Sequence, residues 1–139
     1  MNVKASNKLI YPNLSYKITG VLFAVHNELG RYCSEKQYAD KFEFYLKKFS
    51  VKYEREKILD PSFKGERPGR NKIDFLIEEK IILEIKAKTI VTKEDYYQVR
   101  RYLKSLNKKL GILVNFRDNY LRPKRVLNSS FEENNYSRH

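Results

Sequence analysis

The stretch Ile73-Asp74-Phe75-Leu76-Ile77-Glu78-Glu79-Lys80-Ile81-Ile82-Leu83-Glu84-Ile85-Lys86-Ala87 sets the fold class. Two apolar, isoleucine-rich runs flank the polar triplet Glu78 to Lys80, the pattern of a β-hairpin with a short turn. With the turn centred on Glu79, antiparallel pairing places Asp74 opposite Glu84. Side chains alternate along a strand, so Lys86 shares the face of Glu84. Ile73, Phe75, Ile77, Ile81, Leu83 and Ile85 are then expected on the other, wholly apolar face. Like charges directly opposed across a hairpin, with Cβ atoms about 4.5–5.5 Å apart, destabilise it. Lys86 offsets part of that repulsion, and a hard cation such as Mg²⁺ offsets more, being held by one or two carboxylates plus water. A solvated hairpin face with a stray ion pair fits the spacing alone equally well.

Working outward, Val51 to Leu59 reads as a polar edge strand. Residues 60–70 (DPSFKGERPGR) form a Pro/Gly-punctuated loop carrying Lys64, Arg67 and Arg70. Such a loop suits a phosphate backbone, and it also suits an ordinary solvated connection. Before it, Ser34 with Gln37 forms a capping box. It starts a helix whose inward row is Tyr38, Phe42 and Leu46. Glu35 falls in that same row. An acid in a first turn complements the helix dipole, which does not by itself explain its place in the buried row. Further upstream, Ser15 is expected to cap a helix with Ile18, Leu22, Val25 and Leu29 inward and Gly30 ending it. His26 lies beside that stripe and reads as a core-edge residue.

Downstream, Thr92 and Asp95 cap a third helix whose apolar face is Tyr96, Val99, Leu103 and Leu106. Gln98 and Tyr102 are neighbours on one flank, and Arg100, Arg101 and Lys104 point toward solvent or a polyanion. Residues 110–116 (LGILVNF) are continuously apolar, as in a strand buried on both faces. The order helix, helix, strand, hairpin, helix, strand predicts an α/β domain, one mixed β-sheet flanked by helices.

The chain has 139 residues, enough for one domain with its own core. No apolar run approaches the roughly 18–20 residues a membrane span needs. Residues 1–13 lack the apolar centre of a secretory signal, and the expected location is cytoplasmic. Cys33 is the single cysteine, which excludes an internal disulfide or a multi-cysteine metal site. Lys and Arg number 29 against 17 Asp and Glu, a net charge of +12. That charge favours a polyanionic partner, nucleic acid above all, and a merely soluble basic surface is the alternative.

Asp74 followed by Glu84-Ile85-Lys86 resembles the acid and Glu-x-Lys pair of the PD-(D/E)XK nuclease superfamily. More narrowly, residues 26–30 (HNELG), Glu35-Lys36-Gln37-Tyr38, the hairpin and Leu113-Val114-Asn115-Phe116 resemble the GxxExxY family. Gln98-Val99-Arg100-Arg101-Tyr102 resembles the Gln-x-x-x-Tyr motif of RecB-like nucleases. Tyr32 stands where the GxxExxY pattern opens with glycine, and Ile73 where a proline often precedes the first acid. The resemblance implies a restriction-endonuclease-like core over residues 15–127, between an arm at 1–14 and a polar, disordered tail at 128–139.

It also implies a nuclease site. Asp74 and Glu84 hold Mg²⁺ or Mn²⁺, Lys86 orients or activates the attacking water, and Glu35 is a further metal or water ligand. Gln98 and Tyr102 flank the site and place the substrate. Lys64, Arg67, Arg70, Arg100, Arg101 and Lys104 are the expected nucleic-acid contacts. Glu35, Asp74, Glu84 and Lys86 sum to −2, which one Mg²⁺ balances. The expected substrate is DNA in preference to RNA, taken by a monomer or homodimer with no membrane association. The alternatives are a non-cleaving nucleic-acid-binding module on the same fold, and an interaction protein whose basic surface takes an acidic protein.

Overall fold

In a computed structural model, residues 10–133 form three helices and five strands. In chain order these are α1 (Pro12–Leu29), α2 (Glu35–Lys48), β1 (Tyr53–Ile58), β2 (Lys72–Ile77), β3 (Ile81–Lys86), α3 (Lys93–Leu106), β4 (Leu110–Asn115) and β5 (Lys124–Leu127). The strands make one sheet in the order β1-β2-β3-β4-β5. Every neighbouring pair is antiparallel except β3 and β4, which run parallel with α3 as their crossover. Mixed strand directions and helices on both faces define the expected restriction-endonuclease-like α/β fold.

The two capping boxes form as their sequences dictate, Ser34 with Gln37 and Thr92 with Asp95. The first helix departs from expectation. It begins at Pro12, behind Tyr11, and Ser15 is buried inside it, accepting a hydrogen bond from Arg125 Nη1 at 2.9 Å. Proline suits the first helical turn because its missing N–H has no partner there in any case. A fifth strand, β5, was not among the expected elements; it is the short segment Lys124–Leu127. Residues 128–133 are docked onto the end of α3: Asn128 donates to the carbonyls of Leu103 and Lys108, and Asn107 exchanges two hydrogen bonds with Glu132. Residues 1–9 and 134–139, the rest of the expected arm and tail, lie outside the described residues.

The sheet separates two apolar layers. On one side α1 and α2 bury Ile18, Leu22, Val25, Tyr38, Phe42 and Leu46 against Phe75, Ile77, Leu83, Ile85, Ile112 and Val114. On the other, Val99, Tyr102 and Leu103 of α3 pack on Leu76, Ile82, Leu113 and Val126. Each fully buried side chain of this size contributes about 1.5–3 kcal/mol, so these layers dominate the fold's stability. The approach of α3 to β4 requires glycine at 111, where a Cβ would sit 2.6 Å from Val99 Cγ1. All six residues of β4 are buried, as a central strand should be.

The hairpin turn is a three-residue connection. Glu78 and Glu79 both have positive φ (52° and 59°), and the Lys80 N–H bonds to the Ile77 carbonyl at 2.9 Å. The ladder pairs Phe75 with Leu83, Leu76 with Ile82 and Ile77 with Ile81, the register expected for a turn centred on Glu79. Beyond Phe75 the regular pattern ends, and that interruption creates the candidate site.

Candidate active site

Strict alternation along β2 fails at Asp74. On the β1 side the register runs from Arg55↔Phe75 to Lys57↔Ile73 and omits Glu56, whose φ is 54°. On the β3 side it stops at Phe75↔Leu83. The strand rolls between these points. Ile73, expected beside Phe75, packs instead in the α3-side layer with Leu76 and Val99. Asp74 correspondingly lines a cleft of about 200 Å³ with Glu35, Lys36 and Ala39 of α2 and with Arg55, Glu56 and Lys72.

Where the backbone hydrogen bonds of the hairpin would continue, the two acids take their place. Glu84 Oε2 accepts the Asp74 N–H at 2.8 Å, and Asp74 Oδ2 accepts the Ile85 N–H at 2.7 Å. Each carboxylate thus satisfies an amide of the opposite strand that a regular ladder would have paired. Asp74 and Glu84 meet as the sequence predicted, by reaching across an opened hairpin rather than by facing each other on a flat one.

The electrostatics are unfavourable for two bare anions. Glu84 is only 4% exposed, and burial, followed by the charge of Asp74, pushes its carboxyl up to about 8. Burial also raises the Asp74 carboxyl, while the Ile85 N–H and the charge of Lys86 oppose that shift. Desolvation and like charge both favour the protonated acid. A cation between the two oxygens would reverse that balance.

Lys86 emerges at the end of β3 and turns toward α3. Its Nζ lies 3.5 Å from Gln98 Oε1 and 3.9 Å from Asp95 Oδ1. The sequence marks Asp95 only as a capping residue. It also pairs with Lys88 at 2.5 Å, so one buried-edge carboxylate steers two lysines. Tyr102, 5% exposed, lies within the field of Glu84, whose charge adds to burial in raising the phenol's pKa. Gln98 thus meets Lys86, and Tyr102 lies close to Glu84.

Asn115 pairs with Lys86 in the parallel register. Its amide accepts from the Lys88 N–H at 3.0 Å and donates to the Lys88 carbonyl at 2.7 Å, holding the chain just past Lys86. In the sequence it is the one polar residue of the 110–116 run and part of the Leu113-Val114-Asn115-Phe116 match, with no role attached to it. Glu35 is exposed at the mouth of the cleft, where its Oε2 accepts the Ala87 N–H at 3.3 Å.

Among the described residues, no group of three or more His, Cys, Asp or Glu side chains is arranged to hold one metal ion. The donor set nonetheless fits a hard divalent cation, because Mg²⁺ keeps several waters and needs one or two carboxylates. Asp74 and Glu84 each commit one oxygen to an amide. Among the described residues, Asp74 Oδ1 and Glu84 Oε1 accept no hydrogen bond, and no fully buried polar side-chain atom lacks a partner. Those two oxygens therefore reach solvent. All donors are oxygens, and the acids' raised pKa values mark a deficit of positive charge at that point.

The six expected nucleic-acid contacts are all exposed. Lys64, Arg67 and Arg70 sit on a loop ordered by Glu66, whose Oε1 accepts from the Ser62 N–H and from Asn71 Nδ2. Arg100, Arg101 and Lys104 lie on the outer face of α3, with Arg100 bonded to Ser129 Oγ at 3.0 Å. Sequence reading missed Arg31 and Arg117, which are joined to each other 86 residues apart.

With this geometry in place, the chain's relationships are informative. The PD-(D/E)XK nuclease superfamily matches residues 12–126, and the chain belongs to that superfamily. It therefore has a metal-dependent nuclease fold, whose members act on nucleic acid and generally use divalent metals such as Mg²⁺. No curated protein matches it. Among solved structures it is similar to the crystal structure of SSO0001, at 18% identity and a TM-score of 0.48. The likeness covers 80% of this chain and 65% of that one. Among the described residues no helix is long and apolar enough to cross a membrane.

Proposed function

We propose that this protein is a nuclease of the GxxExxY type that hydrolyses phosphodiester bonds of DNA at the opened end of its β2–β3 hairpin. The observation that carries the reading is the reciprocal insertion of Asp74 and Glu84 into each other's backbone. It presents two solvent-reaching carboxylate oxygens at a point short of positive charge. Asp74 and Glu84 would hold Mg²⁺ or Mn²⁺. When bound, the metal supplies a lowered pKa for a coordinated water and charge stabilisation on the phosphoryl oxygen.

The rest is done by the chain. Lys86, held by Gln98 and Asp95, keeps a point charge beside the attacking water or the phosphate as negative charge develops there. Water oxygen bonds to phosphorus and gives up a proton to solvent, and the bond from phosphorus to the leaving sugar oxygen breaks, that oxygen taking a proton from solvent. Glu35 fixes the Ala87 peptide at the mouth of the cleft and offers an oxygen to water there. Tyr102 closes the α3 side over Glu84. The net charge of +12 draws in a polyanion that the acidic site itself repels.

The test is cleavage of labelled single- and double-stranded DNA and of RNA, with Mg²⁺, Mn²⁺ or EDTA, by the parent and by Lys86→Ala. Metal-dependent cutting of DNA that the variant loses, with binding retained, is the expected result. Lys86 is drawn to Asp95 and Gln98 and pairs with neither hairpin acid, which favours a second reading, a nucleic-acid-binding module that does not cut. Binding to every substrate with cleavage of none would establish that reading instead.

A further inference from the structure

The loop between α1 and α2 projects a tyrosine into solvent beside the hairpin site. Tyr32 is 75% exposed, so most of its ring is open. The backbone carrying it is nonetheless fixed. Tyr38 OH donates to the Gly30 carbonyl at 2.5 Å and accepts the Cys33 N–H at 3.2 Å, clamping the loop on both sides of Arg31 and Tyr32. Tyr38 itself is stacked on Phe116 in the core, with ring centroids 4.1 Å apart.

Two guanidiniums lie by that ring, with Cζ atoms 5.0 Å (Arg31) and 5.5 Å (Arg117) from its centroid. They are locked by exchange: Arg31 Nε donates to the Arg117 carbonyl at 2.8 Å, and Arg117 Nε donates to the Arg31 carbonyl at 2.9 Å. Arg31 Nη1 then donates to Tyr32 OH, and Arg117 Nη2 to the Ala87 carbonyl. Arg31 Nη2 and Arg117 Nη1 have no partner among the described residues, and no carboxylate pairs with either guanidinium. Ala87 ties the cluster to the candidate site. Its carbonyl meets Arg117, its N–H meets Glu35, and it follows Lys86 directly.

We propose that Arg31, Tyr32 and Arg117 form a nucleotide-binding step next to the hairpin acids, where an unstacked base of a single strand lies on the Tyr32 ring and its phosphate meets the free guanidinium edges. This deepens the nucleic-acid reading above and rests on it. A fixed guanidinium with unspent Nη groups is a phosphate ligand that loses little entropy on binding. An exposed aromatic ring offers a stacking surface that any base can use and that a base already stacked in a duplex cannot. The substrate class is therefore single-stranded nucleic acid or a frayed end. Tyr32 and the arginines are positioning residues.

The experiment is fluorescence anisotropy with the full chain in EDTA, where no metal-dependent cutting confuses binding. The probes are a labelled single-stranded DNA, its duplex, and an RNA of the same sequence, measured with the parent, Tyr32→Ala, Tyr32→Phe and Arg31→Gln. Loss of one stacked base weakens binding by about tenfold, within the range for base–aromatic stacking. Tyr32→Ala is thus expected to lose about that factor on single strands and to keep its duplex affinity, while Tyr32→Phe binds like the parent. Arg31→Gln is expected to reduce the slope of log affinity against log salt by about 0.7, one single-strand phosphate contact. Comparing DNA with RNA tells which single strand the step prefers.

Unchanged single-strand affinity in Tyr32→Ala overturns the step, whether or not the parent cuts DNA. A parent that binds no probe overturns the step together with the nucleic-acid reading. A parent that binds through Tyr32 but never cleaves with metal overturns only the catalytic reading.

Discussion

Of two pairs of acids, one lies where α2 meets β1 and the other at the β2–β3 hairpin, and their surroundings treat them oppositely. Asp40 and Glu43 of α2 converge on Arg55 of β1, whose Nη1 is 2.8 Å from an oxygen of each. Glu43 also accepts from Tyr53 OH at 2.5 Å. That hydrogen bond, the largest influence, together with the Arg55 guanidinium holds its carboxyl below the ordinary range against the opposing effect of burial. Asp74 and Glu84 have no such partner. Lys86 forms no ion pair with either of them, being engaged with Asp95 and Gln98, and both carboxyls are pushed up. The Arg55 cluster is a finished structural joint. The hairpin pair is left short of charge, the condition expected where a ligand completes the site.

The largest expected effect breaks the comparison at the hairpin. Lys86→Ala should lower metal-dependent cleavage by at least about 100-fold, the scale for removing one charge aimed at the transition state. Glu43→Gln, which perturbs the other acid pair, should leave the rate close to the parent's. Equal losses in a gel-based cleavage assay would mean that the two clusters do not differ in function.

The second effect is on stability in EDTA. Glu84 is pushed up to about 8 from an ordinary glutamate value near 4.3. The folded state therefore holds the proton more tightly than the unfolded chain. Below about pH 4 both states are protonated. As pH rises from there toward 8 the unfolded state ionises first, so folding stability falls across that window. Glu84→Gln keeps an acceptor for the Asp74 N–H and has nothing to ionise. It should exceed the parent's stability at pH 8 by on the order of 2–4 kcal/mol and lose the slope. Urea unfolding at several pH values checks this, and a parent whose stability is flat from pH 5 to 8 refutes it.

A smaller effect follows on adding metal. At a free concentration about ten times the dissociation constant, a ligand bound only by the folded state stabilises it by about 1.4 kcal/mol. Mg²⁺ or Mn²⁺ should raise the parent's melting temperature accordingly and leave Asp74→Asn unmoved. Calorimetric scans with and without metal read this without any substrate. A shift that persists in Asp74→Asn would place the ion elsewhere.

What the sequence disclosed and what it concealed divide along the same line, local against distant. The hairpin register was legible because three polar residues between apolar runs leave one centre of symmetry, Glu79. The Ser34 and Thr92 caps were legible because their partners lie three residues on. The roll at Asp74 was not, since it depends on a positive φ at Glu56 in the neighbouring strand. Alternation therefore misplaced Ile73. Ser15 looked like a cap because nothing local reveals Arg125, 110 residues away, as its partner. The Arg31–Arg117 exchange spans 86 residues and leaves no periodic trace. Strand β5 is four residues long in a basic stretch, too short for alternation to register. The candidate acids, the lysine and their flanking Gln98 and Tyr102 could be named from sequence. How they meet, through an opened ladder with Asp95 drawing Lys86 aside, required the fold.

The smallest expected effect sharpens the contrast from the Arg55 side. A depressed carboxyl pKa contributes stability that is fully present above the unfolded value, near 4.3 for glutamate, and is lost as pH falls through the folded value. Glu43→Gln removes the charge while keeping an acceptor for Tyr53 OH. Arg55 retains Asp40 and its place over the Phe75 ring, 5.6 Å from the centroid. The cost at pH 7 should be no more than about 1 kcal/mol, the upper range for ion pairs near a surface. As pH falls through that lowered folded value the parent's Glu43 takes up its proton, and the two proteins should converge. Glu84→Gln runs the other way, with its advantage growing as pH rises. Urea titrations should therefore find both variants near the parent at pH 3 and displaced from it in opposite directions at pH 8. If both variants are destabilised at both pH values, the acids of the hairpin are structural like those at Arg55, and the opened ladder is merely a packing solution.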